Sequence, residues 1–293
     1  MTFYEIEFPI ASLSADAVEA ALLDAGASSI TFVDGGDEPV LEPKPGEMRL
    51  WSDTRVRALF QESSDPALNL NRLAAALGPQ VTDTARVRAV KDQVWERAWL
   101  AGWKSMRFGR RLWVCPRAAD APTEAQAIVV RLDPGLAFGT GTHPTTALCL
   151  QILDSLPLAG RTLIDYGCGS GILGIAALKL GASAVTAVDL DPQALLATRD
   201  NAVRNGVSAQ MTVQGVEAGL HTAYCVVANI LAGPLIELAP KLTAACEAGG
   251  HLLLSGLLTR QAYEVKAAYA RGFDMVQVVE RDEWCCIHAR RGP

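Results

Sequence analysis

A glycine-rich segment and an acidic residue downstream of it are the part of this sequence best suited to chemistry. Residues 163–173 read LIDYGCGSGIL and residues 188–191 read VDLD, so Asp189 follows Gly169 by twenty positions. Glycines let a backbone turn sharply and approach a ligand without a Cβ clash, and the start of a helix offers free N–H groups. A carboxylate at the end of the next strand accepts hydrogen bonds from ribose hydroxyls. The pattern predicts a site for an adenosine-containing cofactor at the edge of a parallel sheet.

Two cofactors are compatible with this glycine pattern. Read from Gly169, the chain satisfies the dinucleotide fingerprint GxGxxG. Read from Asp165, it satisfies DxGxGxG, which resembles the first motif of S-adenosylmethionine (SAM) methyltransferases, where the acid faces the cationic amino-acid end of the cofactor. A carboxylate at Asp165 would repel the anionic pyrophosphate of a dinucleotide. The sequence therefore favours SAM, with NAD as the alternative.

A third polar residue follows another apolar strand, where residues 226–232 read VVANILA. Ligands on open parallel sheets bind beyond the carboxyl ends of the strands, so we expect Asn229 to lie near Asp189. Nucleobase and glutamine methyltransferases carry Asn-Pro-Pro-aromatic here, and the missing aromatic favours a flexible primary amine over a planar substrate. In this hypothesis the Asn229 side-chain oxygen and the Ile230 carbonyl are catalytic, because they accept the amine hydrogens and aim its lone pair.

Composition limits the classes of protein to which the chain can belong. Its 293 residues favour two domains. A net charge of −6 gives no support to bulk binding of nucleic acid or membranes. The seven cysteines include no C-x-x-C pair, which indicates reduced thiols rather than disulfides or zinc. The four histidines show no metal spacing, so no metal is expected. No apolar run approaches about 18 residues and no signal peptide is evident, so no membrane span is expected. We expect a cytoplasmic protein, and a monomer.

Residues 1–90 are predicted to form a small α+β domain with a ferredoxin-like arrangement. This segment has no catalytic constellation, and we interpret it as a substrate-recognition domain. The predicted strands are 2–10, 30–33, 48–51, 56–61 and 85–90, and the predicted helices are 14–25 and 65–78.

A helical linker is predicted over residues 91–106. Trp95, Trp99 and Trp103 are spaced four apart and share one helix face. That face is either a packing seam between domains or part of a hinge that presents a substrate.

Residues 107–293 are predicted to form a doubly wound α/β domain. It begins with a β-rich stretch to residue 132, a glycine-containing loop over 138–143 and a helix from Pro144. The last two strands have only three residues between them, which requires an antiparallel hairpin that dehydrogenases lack and SAM methyltransferases have. The predicted strands are 161–166, 184–189, 210–215, 225–230, 251–257, 274–280 and 284–289, and the predicted helices are 171–180, 192–205, 233–247 and 259–271.

Four motifs together resemble one family over the whole chain. FGTGTHPTT at 138–146, DYGCGSG at 165–171, VDLDP at 188–192 and NILA at 229–232 are similar to the bacterial methyltransferases that modify large-subunit ribosomal protein L-eleven. The resemblance implies a SAM-dependent enzyme that trimethylates lysine ε-amines and the N-terminal α-amine. It also implies that the N-terminal domain grips the ribosomal protein and that a hinge carries it over the SAM site, with no direct nucleic-acid or membrane partner.

The expected cofactor contacts come from this resemblance and from the residue pattern. By position, the resemblance assigns Gly167, Asp189, Asn229 and either Thr145 or Thr146 to SAM. The pattern adds Asp165 and Gly169. It also adds the loop residues Phe138, Gly139 and Thr140, because a loop with two glycines can close over a ligand as a lid.

Two alternatives to a methyltransferase stay open at this point. One is an NAD-dependent oxidoreductase, against which Asp165 and the terminal hairpin argue. The other is a non-catalytic ribosome-assembly protein on a methyltransferase scaffold, against which the intact motifs at three strand ends argue.

Overall fold

The computed structural model describes residues 3–36, 38, 50–61, 63–90, 104–120, 122–133 and 142–293. The chain divides into two compact units, Met1–Ala98 and Trp99–Pro293. The predicted tryptophan face of the linker and the predicted lid loop with Phe138, Gly139 and Thr140 lie outside the described residues.

The first unit contains a four-stranded antiparallel sheet of β1 Phe3–Pro9, β2 Ser29–Asp34, β3 Thr54–Gln61 and β4 Arg86–Val90. The strands lie in the order β2-β3-β1-β4. Helix α1, Ala15–Asp24, begins after Ser14, whose hydroxyl accepts the Ala17 N–H. Helix α2, Pro66–Leu77, begins after Asp65, whose carboxylate accepts the Ala67 N–H. Leu50 and Trp51, the described part of predicted strand 48–51, are not in a strand. A short helix, α3 Gln80–Thr84, lies between α2 and β4.

The second unit contains a small sheet and a large one. The small sheet holds β5 Met106–Phe108, β6 Leu112–Cys115 and β7 Ile128–Arg131 in that order. The large sheet has seven strands in the order β10-β9-β8-β11-β12-β14-β13. Its strands are β8 Thr162–Tyr166, β9 Ala184–Asp189, β10 Met211–Gly215, β11 Ala223–Asn229, β12 Cys246–Leu258, β13 Phe273–Arg281 and β14 Trp284–Arg291.

Helices cover both faces of the large sheet. Neighbouring residues of β8 enter different cores, since Leu163 packs in one apolar cluster and Ile164 in the other, as a strand buried on both faces requires. The strand order reverses between β8 and β11, which is where ligands of doubly wound sheets bind. The helices are α4 Pro144–Ser155, α5 Ile172–Lys179, α6 Pro192–Arg204, α7 Ala232–Glu237, α8 Ala239–Ala245 and α9 Ala262–Tyr269.

The predicted terminal hairpin is confirmed, whereas two predicted helices are wrong in detail. Strand β14 pairs antiparallel with both β12 and β13. The helix predicted over 233–247 is divided at Leu238 into α7 and α8, because Pro240 lacks the N–H that would continue it. The helix predicted over 259–271 starts with a 3-10 turn, Thr259–Gln261, before α9. Within the described ranges, no helix is long and apolar enough to cross a membrane.

Candidate active site

The glycine loop between β8 and α5 depends on backbone conformations that favour glycine. Gly167 has a φ of 75° and Gly171 a φ of 78°, both in the left-handed region. A Cβ on Gly167 would collide with the Ile230 side chain, and one on Gly171 would lie 2.8 Å from Thr198 Cγ2. The loop therefore packs against the end of β11 on one side and α6 on the other, and side chains at these glycines would displace it.

Asp189, at the carboxyl end of β9, is held against this loop. Its Oδ2 accepts the Gly169 N–H at 2.8 Å, and its Oδ1 accepts the Asp191 N–H at 3.0 Å. Each carboxylate oxygen keeps a further lone pair, so the side chain can also accept hydroxyl donors from a ligand. Asp191 has a structural role, because its carboxylate accepts the Gln193 N–H at 2.8 Å and caps the N-terminus of α6.

Asp165 is buried beside the same loop, but its carboxylate points toward the first turn of α5. Its Oδ2 accepts the Gly174 N–H at 2.8 Å. Burial raises the pKa of Asp165 to about 7, the Gly174 hydrogen bond opposes this rise, and the charge of Asp189 adds to it. Asp165 is buried, its Oδ2 satisfies one of the free N–H groups of a helix start, and its Oδ1 has no hydrogen-bond partner among the described residues. Contact between this carboxylate and the cofactor stays a prediction.

Asn229, the last residue of β11, connects the end of the sheet to α4. Its Nδ2 donates to the Thr146 hydroxyl at 3.2 Å, whereas its buried Oδ1 has no hydrogen-bond partner among the described residues. The next residue is fixed by its backbone, since the Ile230 N–H donates to the Ser255 carbonyl at 3.1 Å. A buried carbonyl oxygen without a donor costs free energy unless a ligand or water supplies one.

Two cavities meet at Asn229 and Ile230, which line both. The first has a volume of about 450 Å3, and its lining includes Thr146, Gly167, Gly169 and Asp189. The second has a volume of about 400 Å3, and its lining includes His143, Thr145, Leu231, Gly256 and Trp284. The two candidate threonines are thereby separated, with Thr146 on the first cavity and Thr145 on the second.

Trp284 and His143 form an aromatic wall of the second cavity. Their ring centroids are 4.8 Å apart at an interplanar angle of 70°. The His143 Nδ1 accepts the Thr145 N–H at 3.4 Å and so caps α4, and burial lowers the pKa of His143. Sequence reasoning missed Trp284. Trp284 reaches the cavity through the pairing of β14 with β12, where it lies opposite Leu258, and no local sequence signal indicates that pairing.

The second unit thus brings together most of the residues predicted from sequence. Gly167, Gly169, Asp189, Asn229 and Ile230 lie around one cavity. In the part of the chain that the structure describes, no three side chains are grouped to hold a metal ion.

The fold and the site together define a class of protein. A seven-stranded sheet with a reversed strand order, a glycine loop after β8, an acid at the end of β9 and an antiparallel terminal hairpin are the features of SAM-dependent methyltransferases.

Comparison with known proteins identifies the family within that class. The chain belongs to the family described as ribosomal protein L11 methyltransferase (PrmA), whose model matches residues 2–292. A protein of that name from Sodalis glossinidius is 50% identical over 294 residues, covering 99% of this chain and 100% of the relative. One from Escherichia coli strain SMS-3-5 is 50% identical over 297 residues with the same coverage. The resemblance noted from the motifs is therefore confirmed.

A solved structure supports the same assignment. The crystal structure of ribosomal protein L11 methylase from Lactobacillus delbrueckii subsp. bulgaricus is 31% identical to this chain and superimposes with a TM-score of 0.59. The match covers 65% of this chain and 100% of that structure.

Proposed function

We propose that this protein transfers methyl groups from S-adenosylmethionine to amines of ribosomal protein L11, namely lysine ε-amines and the N-terminal α-amine, up to trimethylation. The observation that carries the proposal is the unpartnered Oδ1 of Asn229 on the wall shared by two cavities. Family membership over residues 2–292 supports the same reaction.

The first cavity is the proposed SAM site. Its volume of about 450 Å3 lies within the range of small-molecule sites, roughly 300–1,000 Å3. Gly167 and Gly169 admit the cofactor close to the backbone, Asp189 accepts the ribose hydroxyls, and Thr146 and Asn229 provide further polar contacts. When bound, SAM supplies a methyl group made electrophilic by a cationic sulfur. The Phe138–Thr140 loop remains the predicted lid.

The second cavity is the proposed slot for the target amine. A lysine amine has a reference pKa of about 10.4, and apolar surroundings favour its neutral, nucleophilic form. Trp284, Leu231 and Ile230 provide such surroundings. The Oδ1 of Asn229 and the carbonyl of Ile230 accept N–H groups of the amine and so direct its lone pair toward the first cavity. Orientation of this kind lowers the activation free energy by up to about 7–11 kcal/mol in ideal cases.

Trp284 has a further proposed role in successive methylations. Each methyl added to the amine makes it larger and less able to donate hydrogen bonds, so Asn229 holds it less well. An indole face attracts an alkylated ammonium by a cation–π interaction of about 0.5–2 kcal/mol. Trp284 would therefore retain the dimethylated product as its ammonium until it loses a proton to water, and the neutral amine could then accept the third methyl group.

The first unit is the proposed recognition domain for the protein substrate. The strand order β2-β3-β1-β4, with helices after β1 and β3, supports a ferredoxin-like domain. We place the reaction in the cytoplasm, which the free state of all seven cysteines suits.

A methyl-transfer assay tests the proposal. Purified, unmodified ribosomal proteins are incubated singly with this protein and SAM, and intact masses are recorded over time. Mass steps of one, two and three methyl groups on L11 alone are the expected result. Transfer to another ribosomal protein would preserve the chemistry and overturn the substrate. SAM binding without transfer to any of them would favour the non-catalytic assembly protein.

Peptide mapping of the methylated L11 identifies the modified amines. Modification of lysine side chains and of the N-terminus is expected, and modification of an amide or guanidinium nitrogen would contradict the proposed amine slot. A Trp284→Ala variant is expected to accumulate dimethylated product, while Trp284→Phe retains an aromatic face and serves as the matched control.

A further inference from the structure

The segment before and within the small sheet carries an unusual concentration of positive charge. Residues 104–119 read KSMRFGRRLWVCPRAA, with five basic and no acidic residues, in a chain whose net charge is −6. The methyl-transfer site uses none of these residues. Three of them, Arg107, Arg110 and Arg111, line one groove of about 820 Å3, called the arginine groove below.

A buried carboxylate holds the turn that presents these arginines. Asp154 of α4 has a side chain only 2% exposed, and its Oδ2 accepts the Arg110 N–H at 2.5 Å and the Arg111 N–H at 3.2 Å. Its Oδ1 lies 3.5 Å from the Arg111 Nε. Gly109 has a φ of 74°, and a Cβ there would lie 2.6 Å from Asp154 Oδ2. Asp154 therefore fixes the conformation of this turn, and its carboxylate offsets the charge of Arg111.

The other two arginines remain available to a ligand. The Arg110 side chain is exposed and makes no hydrogen bond or ion pair with any residue in the described ranges. The Arg107 guanidinium lies 5.8 Å from the centre of the Trp113 ring and donates to the Arg110 carbonyl, which keeps it over the turn. Among the described lining residues of the groove, Asp154 is the one acid, and it is buried and paired with Arg111. The Arg107 and Arg110 cations therefore attract an anion.

We infer that the arginine groove binds the phosphate backbone of RNA. Guanidinium groups match phosphate oxygens with two parallel hydrogen bonds. The groove is large compared with one phosphate and also contains the neutral side chains of Gln126, Gln151 and Ser155. These amides and this hydroxyl can bond to ribose hydroxyls, which distinguish RNA from a free phosphate or an acidic peptide. The inference goes beyond the proposed methyl transfer and departs from the sequence-based expectation of no nucleic-acid partner.

Fluorescence anisotropy with a labelled, mixed-sequence 20-nucleotide RNA tests this inference on the full chain. Salt is varied from about 50 to 200 mM, since each phosphate contact contributes about −0.7 to the slope of log affinity against log salt. The variant Arg107→Gln/Arg110→Gln is expected to bind at least tenfold more weakly, with a salt slope lower in magnitude by about 1.4. Arg111 is left unchanged because it pairs with Asp154.

A matched variant separates the groove from overall charge. Lys179→Gln/Arg271→Gln removes the same charge from two exposed positions of the second unit and is expected to change RNA affinity less than twofold. Equal weakening by the two double variants would overturn the inference, as would undetectable RNA binding by the parent chain at 50 mM salt. Thermal unfolding and SAM binding of both variants should match those of the parent, which verifies folding.

Two competitors decide the class of ligand. Sodium pyrophosphate and poly-glutamate are titrated against the RNA complex at matched ionic strength. RNA bound at least tenfold more tightly than either supports the RNA backbone as the ligand. Equal or tighter binding of pyrophosphate would make the groove a small-anion site, and equal or tighter binding of poly-glutamate would make it a site for an acidic protein. Either result overturns the RNA assignment.

Discussion

The buried polar atoms of the large sheet that lack a hydrogen-bond partner within the described part of the chain include the Oδ1 of Asn229 and the Nδ1 of His288. Asn229 ends β11 and lines two cavities. His288 lies within β14, where its Nε2 is 2.8 Å from the Nδ1 of His251, whose Nε2 is 3.2 Å from the Tyr224 hydroxyl. The first atom borders space that a ligand can fill, and the second belongs to a row of side chains packed against one another.

The electrostatics of the histidine row agree with a structural role. Burial, aided by the charge of His251, lowers the pKa of His288 to about 4, and burial together with Arg290 lowers the pKa of His251. Both rings are therefore neutral near pH 7. The row of His288, His251 and Tyr224 contributes to packing of the sheet. Of these two unpartnered atoms, only the Oδ1 of Asn229 belongs to a residue that lines the two cavities, so it is the candidate for ligand binding.

The largest expected effect is on methyl transfer when Asn229 is replaced. Asn229→Ala removes the acceptor that directs the amine, and a misplaced reacting group costs about 100-fold in rate. We expect kcat to fall by about that factor, measured by labelled methyl transfer at saturating SAM. His288→Asn, the comparison variant, should keep kcat within about threefold under the same conditions at pH 7.5. A similar loss of kcat in both variants would show that the Oδ1 of Asn229 is no more important for methyl transfer than the Nδ1 of His288.

The next effect concerns SAM affinity at the end of β9. Asp189→Ala removes charged acceptors of the proposed ribose hydrogen bonds, worth about 1.5–3 kcal/mol, so we expect a Kd at least tenfold higher by isothermal titration calorimetry. Asp191→Ala is the matched control. It removes a carboxylate that caps α6 and should lower the free energy of unfolding by about 1 kcal/mol with little change in Kd. A large loss of SAM affinity in the control would move the ribose contact to Asp191.

A stability effect is expected from the histidine row as pH falls. The native pKa of His288 is about 4 and the reference value is 6.5, so the unfolded chain binds the proton more readily. The stabilisation is fully present above pH 6.5 and is lost toward pH 4, by about 1–3 kcal/mol. Urea unfolding at pH 7.5, 5.5 and 4.5 measures this loss. His288→Asn should show a smaller decline, and an equal decline in both proteins would assign the loss to other groups.

The smallest effect concerns Asp165 and the pH dependence of SAM binding. The native pKa of Asp165 is about 7, so the residue gains its negative charge as pH rises through 7. A nearby carboxylate attracts the cationic sulfur of SAM, and we expect affinity to rise about two- to threefold between pH 6 and pH 8. Asp165→Asn keeps an oxygen for the Gly174 N–H and should lack this part of the rise. An identical pH profile in the two proteins would exclude any influence of Asp165 on the cofactor.

Much of the second unit was predictable from sequence because its signals are local. Glycines at 167 and 171 mark a turn that needs left-handed backbone, and Pro144 marks a helix start. Asp189 and Asn229 follow apolar strands, and the carboxyl ends of parallel strands meet at one edge of a sheet. Each of these features depends on residues within a few positions of one another, so each can be predicted from the local sequence. The division of helix 233–247 was also marked locally, by Pro240, and was missed.

Tertiary structure decided what depends on residues far apart in the chain. Trp284 reaches the site only because β14 pairs with β12 in a register that places it opposite Leu258. Thr145 and Thr146 are adjacent in sequence and face different cavities, since the packing of α4 on the sheet directs their side chains. Asp165 is in the motif but faces α5. By itself the sequence determined the order of elements and the edge at which polar groups gather. Only the folded sheet, through its strand pairing and helix packing, decided which atoms are left open to a ligand.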